Sequence, residues 1–240
     1  MDQAISRRRP EQHTEKAHAP GGTWLRDSIL GLNDGLVAAF AVTSGVAAAF
    51  SSQKVVVMAG LSEMLGGAVS MGLASYASAR AQYEFYRSEE QREHDEINRW
   101  PDRERDEVRA IYRQKGFGGA LLDQIVAHIT ADKTRWRNVM MREELGFGAD
   151  ATDPPSRSAG IVGAAYLVGA AVPLVPYLIV APPAGILVSA IATVLTLFLV
   201  GAIKTRVTAR RWWLSGLESM GIGVAAALVT YGAGRFFAGR

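Results

Sequence analysis

Glutamates recur in pairs, three residues apart, in the polar middle of the chain. The pairs are Glu93 with Glu96 and Glu104 with Glu107. Side chains three residues apart project from one face of a helix, so each pair could chelate a divalent cation. Because the chain has no cysteine, a metal can bind here only through oxygen, imidazole or thioether ligands. The pairs therefore predict a metal site in a helical segment.

Two methionines lie close in sequence to a further glutamate of this stretch. Met140 and Met141 precede Glu144 by four and three residues, which places thioether and carboxylate on one helix. Three helices would then converge on bound metal. The alternative is that the glutamates form ordinary surface ion pairs, because such spacing is common on solvated helices. The arginines available for this are Arg92, Arg103, Arg105 and Arg109. His94 and His128 could contribute ligands, but an isolated histidine is more often structural.

Three other acids lie in apolar stretches, where a charge costs at least about 2.5 to 3.5 kcal/mol at the centre of a membrane. They are Asp34, Glu63 and Glu218. Such residues usually face a protein interior or an aqueous path. Glu218 follows Arg210 and Arg211 within about two helical turns, so a simple ion pair would also explain it.

Asp34 and Met71 are predicted to lie at similar depth. Counted at 1.5 Å per residue, Asp34 is roughly 12 Å from Arg26 and Met71 roughly 13 Å from Arg80. Glu63 lies about two turns further toward the outer face, on the same side of its helix as Met71. Two carboxylates with a thioether suit Fe²⁺ or Mn²⁺, and buried carboxylates can carry protons. The alternative is a helix cap, a core methionine and a protonated, packed glutamic acid.

Five apolar stretches approach the roughly 20 residues that a helix needs to cross a bilayer. They are Ile29–Phe50, Val55–Ala79, a span from Ala159 that breaks at Pro173 and Pro176, a span from Pro182 to Ile203, and Leu214–Phe237. The predicted fold is an all-α membrane protein with five transmembrane helices and a helical insert between spans two and three. The small-xxx-small pattern of Gly31 and Gly35 fits either general helix packing or a dimer face.

Charge defines the predicted domains and their orientation. Residues 1–26 form a disordered tail, 27–79 a transmembrane hairpin, 80–157 the charged insert and 158–240 the last three spans. Lysine and arginine concentrate in the tail and in the link after span four, so the amino terminus and the insert are predicted to be cytoplasmic. The net charge of +3 is too small to indicate nucleic-acid binding.

Span two is predicted to continue into the insert as one long charged helix. No glycine or proline lies between Arg80 and Pro101, so the helix should run through Arg99. Glycine and proline then divide the rest of the insert into shorter helices. These are predicted from Pro101 to Gly116, from Leu121 to Ile129 and from Asp132 to Leu145.

From about Trp24 to Phe237 the chain resembles the vacuolar iron transporter family of yeast, plants and bacteria. The resemblance rests on Asn33–Leu36, Ser70–Gly72 leading into a charged helix, the glutamate pairs around Pro101-Asp102, Met140-Met141 with Glu144, and Val172–Tyr177. It implies a dimer of five-span protomers that exports Fe²⁺, and in some members Mn²⁺, from the cytoplasm in exchange for protons. The implied pore ligands are Asp34, Glu63 and Met71. The implied metal ligands of the insert are Glu93, Glu96, Glu104, Glu107, Met140, Met141 and Glu144.

Two departures from the family pattern bear on these expectations. Val37–Phe40 stands where plant members place a proline, so the sequence leaves open whether span one is kinked at this point. The short tail cannot form the ferritin-like four-helix bundle of some bacterial relatives, so a built-in ferroxidase is not expected.

The competing hypothesis is a membrane-anchored metal enzyme or sensor, with ligands in the insert alone. Carboxylates inside the spans argue against it, because an anchor has no use for them. No prosthetic group is predicted. The alanine- and arginine-rich composition favours a bacterial inner membrane, and a vacuolar membrane would require the same topology.

Overall fold

The computed structural model describes residues 22–148, 153–182, 184–205 and 210–238. In these ranges the regular structure is helical, as predicted. The helices are α1 (Thr23–Ala49), α2 (Gln53–Arg99), α3 (Pro101–Gln114), α4 (Gly119–Thr130), α5 (Lys133–Glu143), α6 (Pro155–Leu174), α7 (Pro176–Ile179), α8 (Ala184–Ile203) and α9 (Trp212–Ala238).

Helix α2 is the continuous rod that the sequence predicted. Its 47 residues correspond to a length of about 70 Å, more than twice the roughly 30 Å of a hydrocarbon core. The helix ends where the backbone of Trp100 leaves the helical region, and Pro101 begins α3 at a position that needs no amide donor. One helix therefore carries both the span residues and the first glutamate pair of the insert.

Four of the described helices are long and apolar enough to cross a membrane: α1, α2, α6 and α8. The predicted fifth span falls on α9, which is helical over Trp212–Ala238. Whether α9 crosses a membrane stays a prediction.

Several helices begin or end a few residues away from the predicted boundaries. The tail was expected to reach Arg26, but α1 begins at Thr23. The disorder predicted for the tail falls on residues 1–21, which lie outside the described residues. The predicted insert extends to residue 157, and α6 begins within its last residues at Pro155, where the missing amide of proline costs nothing. In the insert, α4 begins at Gly119 rather than Leu121, and α5 ends at Glu143.

The third span breaks within the predicted stretch from Pro173 to Pro176, at Val175 between α6 and α7. Pro173 lies inside α6, one residue from its end, and the amide of Val175 still donates to the Ala171 carbonyl at 2.9 Å. A proline this close to the carboxyl end removes only one helical hydrogen bond. Pro176 then starts the short helix α7.

Glycines of α1 pack directly against the backbone of α6. A Cβ added to Gly31 would lie 2.3 Å from the Val162 carbonyl oxygen, and one added to Gly35 would lie 2.3 Å from that of Tyr166. Gly169 of α6 packs in the same way against α1, since a Cβ added to it would lie 2.2 Å from the Leu32 carbonyl oxygen. The small-xxx-small pattern therefore serves helix packing within the chain and not a dimer face.

The insert has a hydrophobic core of its own. Buried side chains from α2, α3, α4 and α5 form it: Ile97, Val108, Leu122, Val126, Ile129, Trp136, Val139 and Met140. This core fixes the four helices relative to one another, and so positions the glutamates of α2 and α3.

Candidate metal sites in the insert and in the spans

Glutamates of two helices converge in the insert. Glu93 and Glu96 of α2 and Glu104 of α3 each present a carboxylate oxygen, and these oxygens lie within 4.8 Å of one another. The closest grouping therefore joins two helices, whereas the sequence suggested that each pair on one helix would act as a chelate. We call these three residues the glutamate cluster.

The two inner members of the glutamate cluster are buried and lack partners. Glu93 is 4% exposed and Glu104 1% exposed. Within the described residues, Glu93 Oε1 and both carboxylate oxygens of Glu104 have no hydrogen-bond partner. Buried acceptors without a donor are costly and call for an explanation such as an ion. A divalent cation fits this set of oxygen ligands.

Burial also changes the acidity of these groups. Desolvation first, and neighbouring carboxylates second, raise the pKa of Glu93 to about 8 and that of Glu104 to about 7. The same two causes raise the pKa of Glu144, where the neighbours are Glu107 and Glu96. All five glutamates predicted as ligands thus lie close enough to influence one another's charge.

The outer glutamates form the ion pairs that the alternative interpretation expected. Arg92 Nε donates to Glu96 Oε1 at 3.3 Å, and Arg103 Nε donates to Glu107 Oε1 at 3.1 Å. Two other arginines named in the sequence pair with aspartates instead, Arg105 with Asp102 and Arg109 with Asp106 and Asp123. Surface pairing therefore accounts for Glu96 and Glu107, but it does not account for the buried Glu93 and Glu104.

The sulfur and imidazole candidates differ in their surroundings. Met140 is fully buried in the hydrophobic core of the insert, and Met141 is 4% exposed. Their role as ligands stays a prediction. His94 is exposed and contacts Asn98, while His128 is exposed on α4. Neither histidine belongs to the glutamate cluster.

The contacts between α1 and α2 give the relative depth of the span residues. A Cβ on Gly60 would lie 2.7 Å from Thr43 Cγ2, so these residues of the antiparallel hairpin are level. Asp34 lies nine residues before Thr43, and Val69 nine after Gly60. Asp34 is therefore level with Val69, and Met71 lies only about 3 Å further toward the insert.

Glu63 has a partner that the sequence analysis missed. The hydroxyl of Tyr166 on α6 donates to Glu63 Oε1 at 2.7 Å. The ring has room because residue 67 is glycine: a Cβ there would lie 2.1 Å from the Tyr166 hydroxyl. The sequence signal was weak, a tyrosine in an otherwise apolar span. Met71 packs against the buried cluster that contains Tyr166.

Asp34 lies on the outer surface of the single chain. Its side chain is exposed, although it belongs to an apolar span. Asp34, Met71 and Glu63, which we call the ladder, therefore lie along one side of the helical bundle.

A second acid of α1, Asp27, was also missed. It is 4% exposed, pairs with Arg26 at 3.1 Å and accepts a hydrogen bond from Ser158, whose hydroxyl lies 2.7 Å from that of Ser75. Its position seven residues before Asp34, two helical turns away on the same face, was the available signal.

A cavity of about 250 Å³ lies where the span of α2 passes into its charged extension. Its lining includes Met71, Ser75, Ser78 and Gln82 of α2, with Arg26 and Ser158. The cavity therefore extends from Met71 toward the insert, and hydroxyl and amide groups line its wall.

Glu218 is explained by a simple ion pair. Arg210 Nη1 donates to Glu218 Oε2 at 3.2 Å, and the carboxylate is 53% exposed. This is the pairing that the sequence suggested as the alternative to a role in transport.

Comparisons with known proteins show which family this chain resembles. The model described as the VIT family matches residues 25–235. The chain is 36% identical to "Vacuolar iron transporter 2" of Oryza sativa subsp. japonica, over 92% of this chain and 90% of that protein. It is 34% identical to "Vacuolar iron transporter 1" of Eucalyptus grandis, over 92% and 89%. It is 31% identical to "Protein CCC1" of Saccharomyces cerevisiae, over 77% and 58%.

Proposed function

The chain belongs to the VIT family, and from this premise we propose that it is an iron transporter that carries Fe²⁺ out of the cytoplasm. The observation that carries the proposal is the set of buried carboxylate oxygens on Glu93 and Glu104 that have no hydrogen-bond partner among the described residues. Glu93 lies on α2, the helix that also bears Glu63 and Met71, and Glu104 lies on α3, which follows it in the chain. Relatives that cover nine tenths of this chain are named as iron transporters.

The proposed topology has five spans, with α9 as the fifth. Positive charge in the tail and after α8 favours a cytoplasmic amino terminus and a cytoplasmic insert. The proposed domains are the hairpin of residues 27–79, the metal-binding insert of residues 80–157 and the last three spans in residues 158–240. A bacterial inner membrane is the proposed location.

The proposed path has three stages. Fe²⁺ binds first at the glutamate cluster, then enters the cavity beside Ser75 and Gln82, and then passes the ladder. Oxygen and thioether ligands suit Mn²⁺ as well as Fe²⁺, so Mn²⁺ is proposed as a second substrate. Protons move in the opposite direction, because carboxylates in a membrane exchange protons as metal binds and leaves.

We also propose that the transporter is a homodimer. The exposed carboxylate of Asp34 would otherwise face lipid, at a cost of at least about 2.5 to 3.5 kcal/mol. Beside it, α2 presents small exposed residues at every fourth position, which allow a second helix to approach closely. These are Ser62, Gly66, Ser70, Ala74 and Ser78. Light scattering of the detergent-solubilised chain measures its mass and tests this proposal.

Flux into proteoliposomes tests the transport function. The purified chain should carry Fe²⁺ across the bilayer under anaerobic conditions. Transport should be faster when protons can flow down their gradient in the direction opposite to the metal. Asp34→Ala should reduce the flux to the level of empty liposomes, because the ladder loses the only acid contributed by α1 at this depth. The matched control is Glu84→Gln, at an exposed position in the charged extension of α2 that pairs with Arg80. This variant should transport normally. Unchanged flux in Asp34→Ala would remove the ladder from the mechanism.

The alternative of a membrane-anchored metal enzyme or sensor is disfavoured by two observations. The relatives in the comparison are named as transporters. The hydrogen bond from Tyr166 to Glu63 also shows a carboxylate accommodated within the spans, which an anchor would not need. Catalytic oxidation of Fe²⁺ by the purified full-length chain, without flux, would favour the alternative.

A further inference from the structure

Arg92 lies between two carboxylates of α2. Its Nε donates to Glu96 Oε1 at 3.3 Å, and its Nη1 lies 3.6 Å from Glu89 Oε2. The guanidinium side chain is 67% exposed, whereas the glutamate side chains are 17% and 24% exposed. Arg92 therefore covers the solvent side of these acids. Glu89 is not among the predicted ligands. It precedes Glu93 by about one helical turn on the same face of α2.

We propose that Arg92 is the resident counter-cation of the glutamate cluster, and that a divalent ion arriving at Glu96 moves the guanidinium onto Glu89. Arg92 would thus set the affinity of the cluster without being a ligand. The inference rests on the proposed metal site in the insert, and it adds Arg92 and Glu89 to the residues that control that site.

Charge and exposure together favour such an exchange. A divalent ion at Glu96 would repel a guanidinium that shares the same carboxylate. An exposed ion pair is weak, so breaking the contact with Glu96 is easy. Glu89 already lies at 3.6 Å, so the guanidinium needs only a small rotation to exchange one partner for the other. Arg92 stays paired throughout, and the inner carboxylates of Glu93 and Glu104 stay available to the metal.

Equilibrium binding of Fe²⁺ to the full-length chain in detergent, under anaerobic conditions, tests the inference. Arg92→Gln should bind about 3- to 10-fold more tightly, because the competing cation is gone. Glu89→Gln should bind about 2- to 5-fold more weakly, because the guanidinium loses its second partner and stays on Glu96. Arg92 is exposed, and Glu89→Gln keeps the size and shape of its largely covered side chain, so these variants should fold.

The double variant separates exchange from simple electrostatics. If Arg92 moves to Glu89, then Glu89→Gln has no effect once Arg92 is glutamine, and the two changes are strongly non-additive. If Glu89 only adds negative charge, the weakening is the same in both backgrounds. The matched control is Arg87→Gln, which removes a guanidinium paired with Glu90 at 2.7 Å on the same helix. It should change the affinity by less than about twofold.

Unchanged or weaker binding in Arg92→Gln would overturn the inference, and so would an equal effect of Glu89→Gln in both backgrounds. In either case the transport function stands, provided that the unmodified chain binds Fe²⁺. Absence of Fe²⁺ binding by the unmodified chain would instead show that the metal site itself is wrong, and this inference with it.

Discussion

Helix α2 carries acids in two settings, Glu63 within an apolar span and Glu93 with Glu96 in the polar insert. The carboxylate of Glu63 accepts a hydrogen bond from a tyrosine. The carboxylate of Glu93 has an oxygen without a donor and lies near other acids. The span thus offers a carboxylate with a hydrogen-bond donor at Glu63, and the insert offers crowded, unsatisfied ones.

This difference indicates a division of labour. Crowded carboxylates without donors gain most from a divalent cation, so the insert should bind metal tightly. A path through the membrane must release its ion as readily as it binds it, which favours few ligands that already have partners. The insert should therefore govern affinity, and the ladder should govern flux.

The largest expected effect is that of pH on binding by the insert. Burial and neighbouring acids raise the pKa of Glu93 to about 8 and that of Glu104 to about 7. Both are then protonated near pH 6 and must release protons when metal binds, so affinity should rise with pH. The rise in Fe²⁺ affinity from about pH 6 to about pH 8 should be roughly two to three orders of magnitude if both carboxyls must lose their protons. Anaerobic equilibrium binding measures it, and a flat profile would mean that these carboxyls are not ligands.

The next largest effect is expected when one buried acid loses its charge. Glu104→Gln keeps the volume of the side chain but should weaken Fe²⁺ binding by at least about tenfold. Flux at saturating Fe²⁺ should fall much less, because the ladder is intact. Parallel binding and flux assays measure the two effects. An equal loss in both would remove the distinction between insert and ladder.

A smaller effect is expected when the partner of Glu63 is displaced. In Gly67→Ala the new methyl group would overlap the Tyr166 ring and move its hydroxyl away from the carboxylate. Flux should fall about two- to tenfold, the range for one lost hydrogen bond, and Tyr166→Phe should do the same.

Two comparisons make this prediction specific. Gly45→Ala adds the same methyl group to α1 where nothing lies within 4 Å, so it should transport normally. Fe²⁺ binding by the insert should be unaffected in Gly67→Ala. A flux defect in the control of equal size would point to general damage to the spans.

The smallest effect is expected at Glu218. Its ion pair with Arg210 is exposed at both ends, so Glu218→Gln should change flux by less than about twofold. The same liposome assay measures it. A loss comparable to that of Asp34→Ala would place Glu218 in the transport path and extend the ladder to α9.

Sequence patterns were sufficient where the determinants are local. The absence of glycine and proline predicted the uninterrupted α2, and Pro101 and Gly116 located the limits of α3 to within about two residues. The same patterns predicted the break of the third span over Pro173 to Pro176, where α6 ends and α7 begins. They could not choose between ion pairing and metal binding for the glutamates, because spacing alone does not give burial.

The sequence by itself determined that the chain is helical, that it has apolar spans interrupted by an acidic insert, and which acids could bind metal. Composition and periodicity are sufficient for this, since helix formation and membrane crossing depend on neighbours along the chain. Only the tertiary structure decided that Glu93 and Glu104 are buried without partners while Glu96 and Glu107 meet arginines. It also decided that Tyr166 holds Glu63 and that Asp34 faces outward. These properties depend on contacts between helices distant in sequence, and no local spacing specifies them.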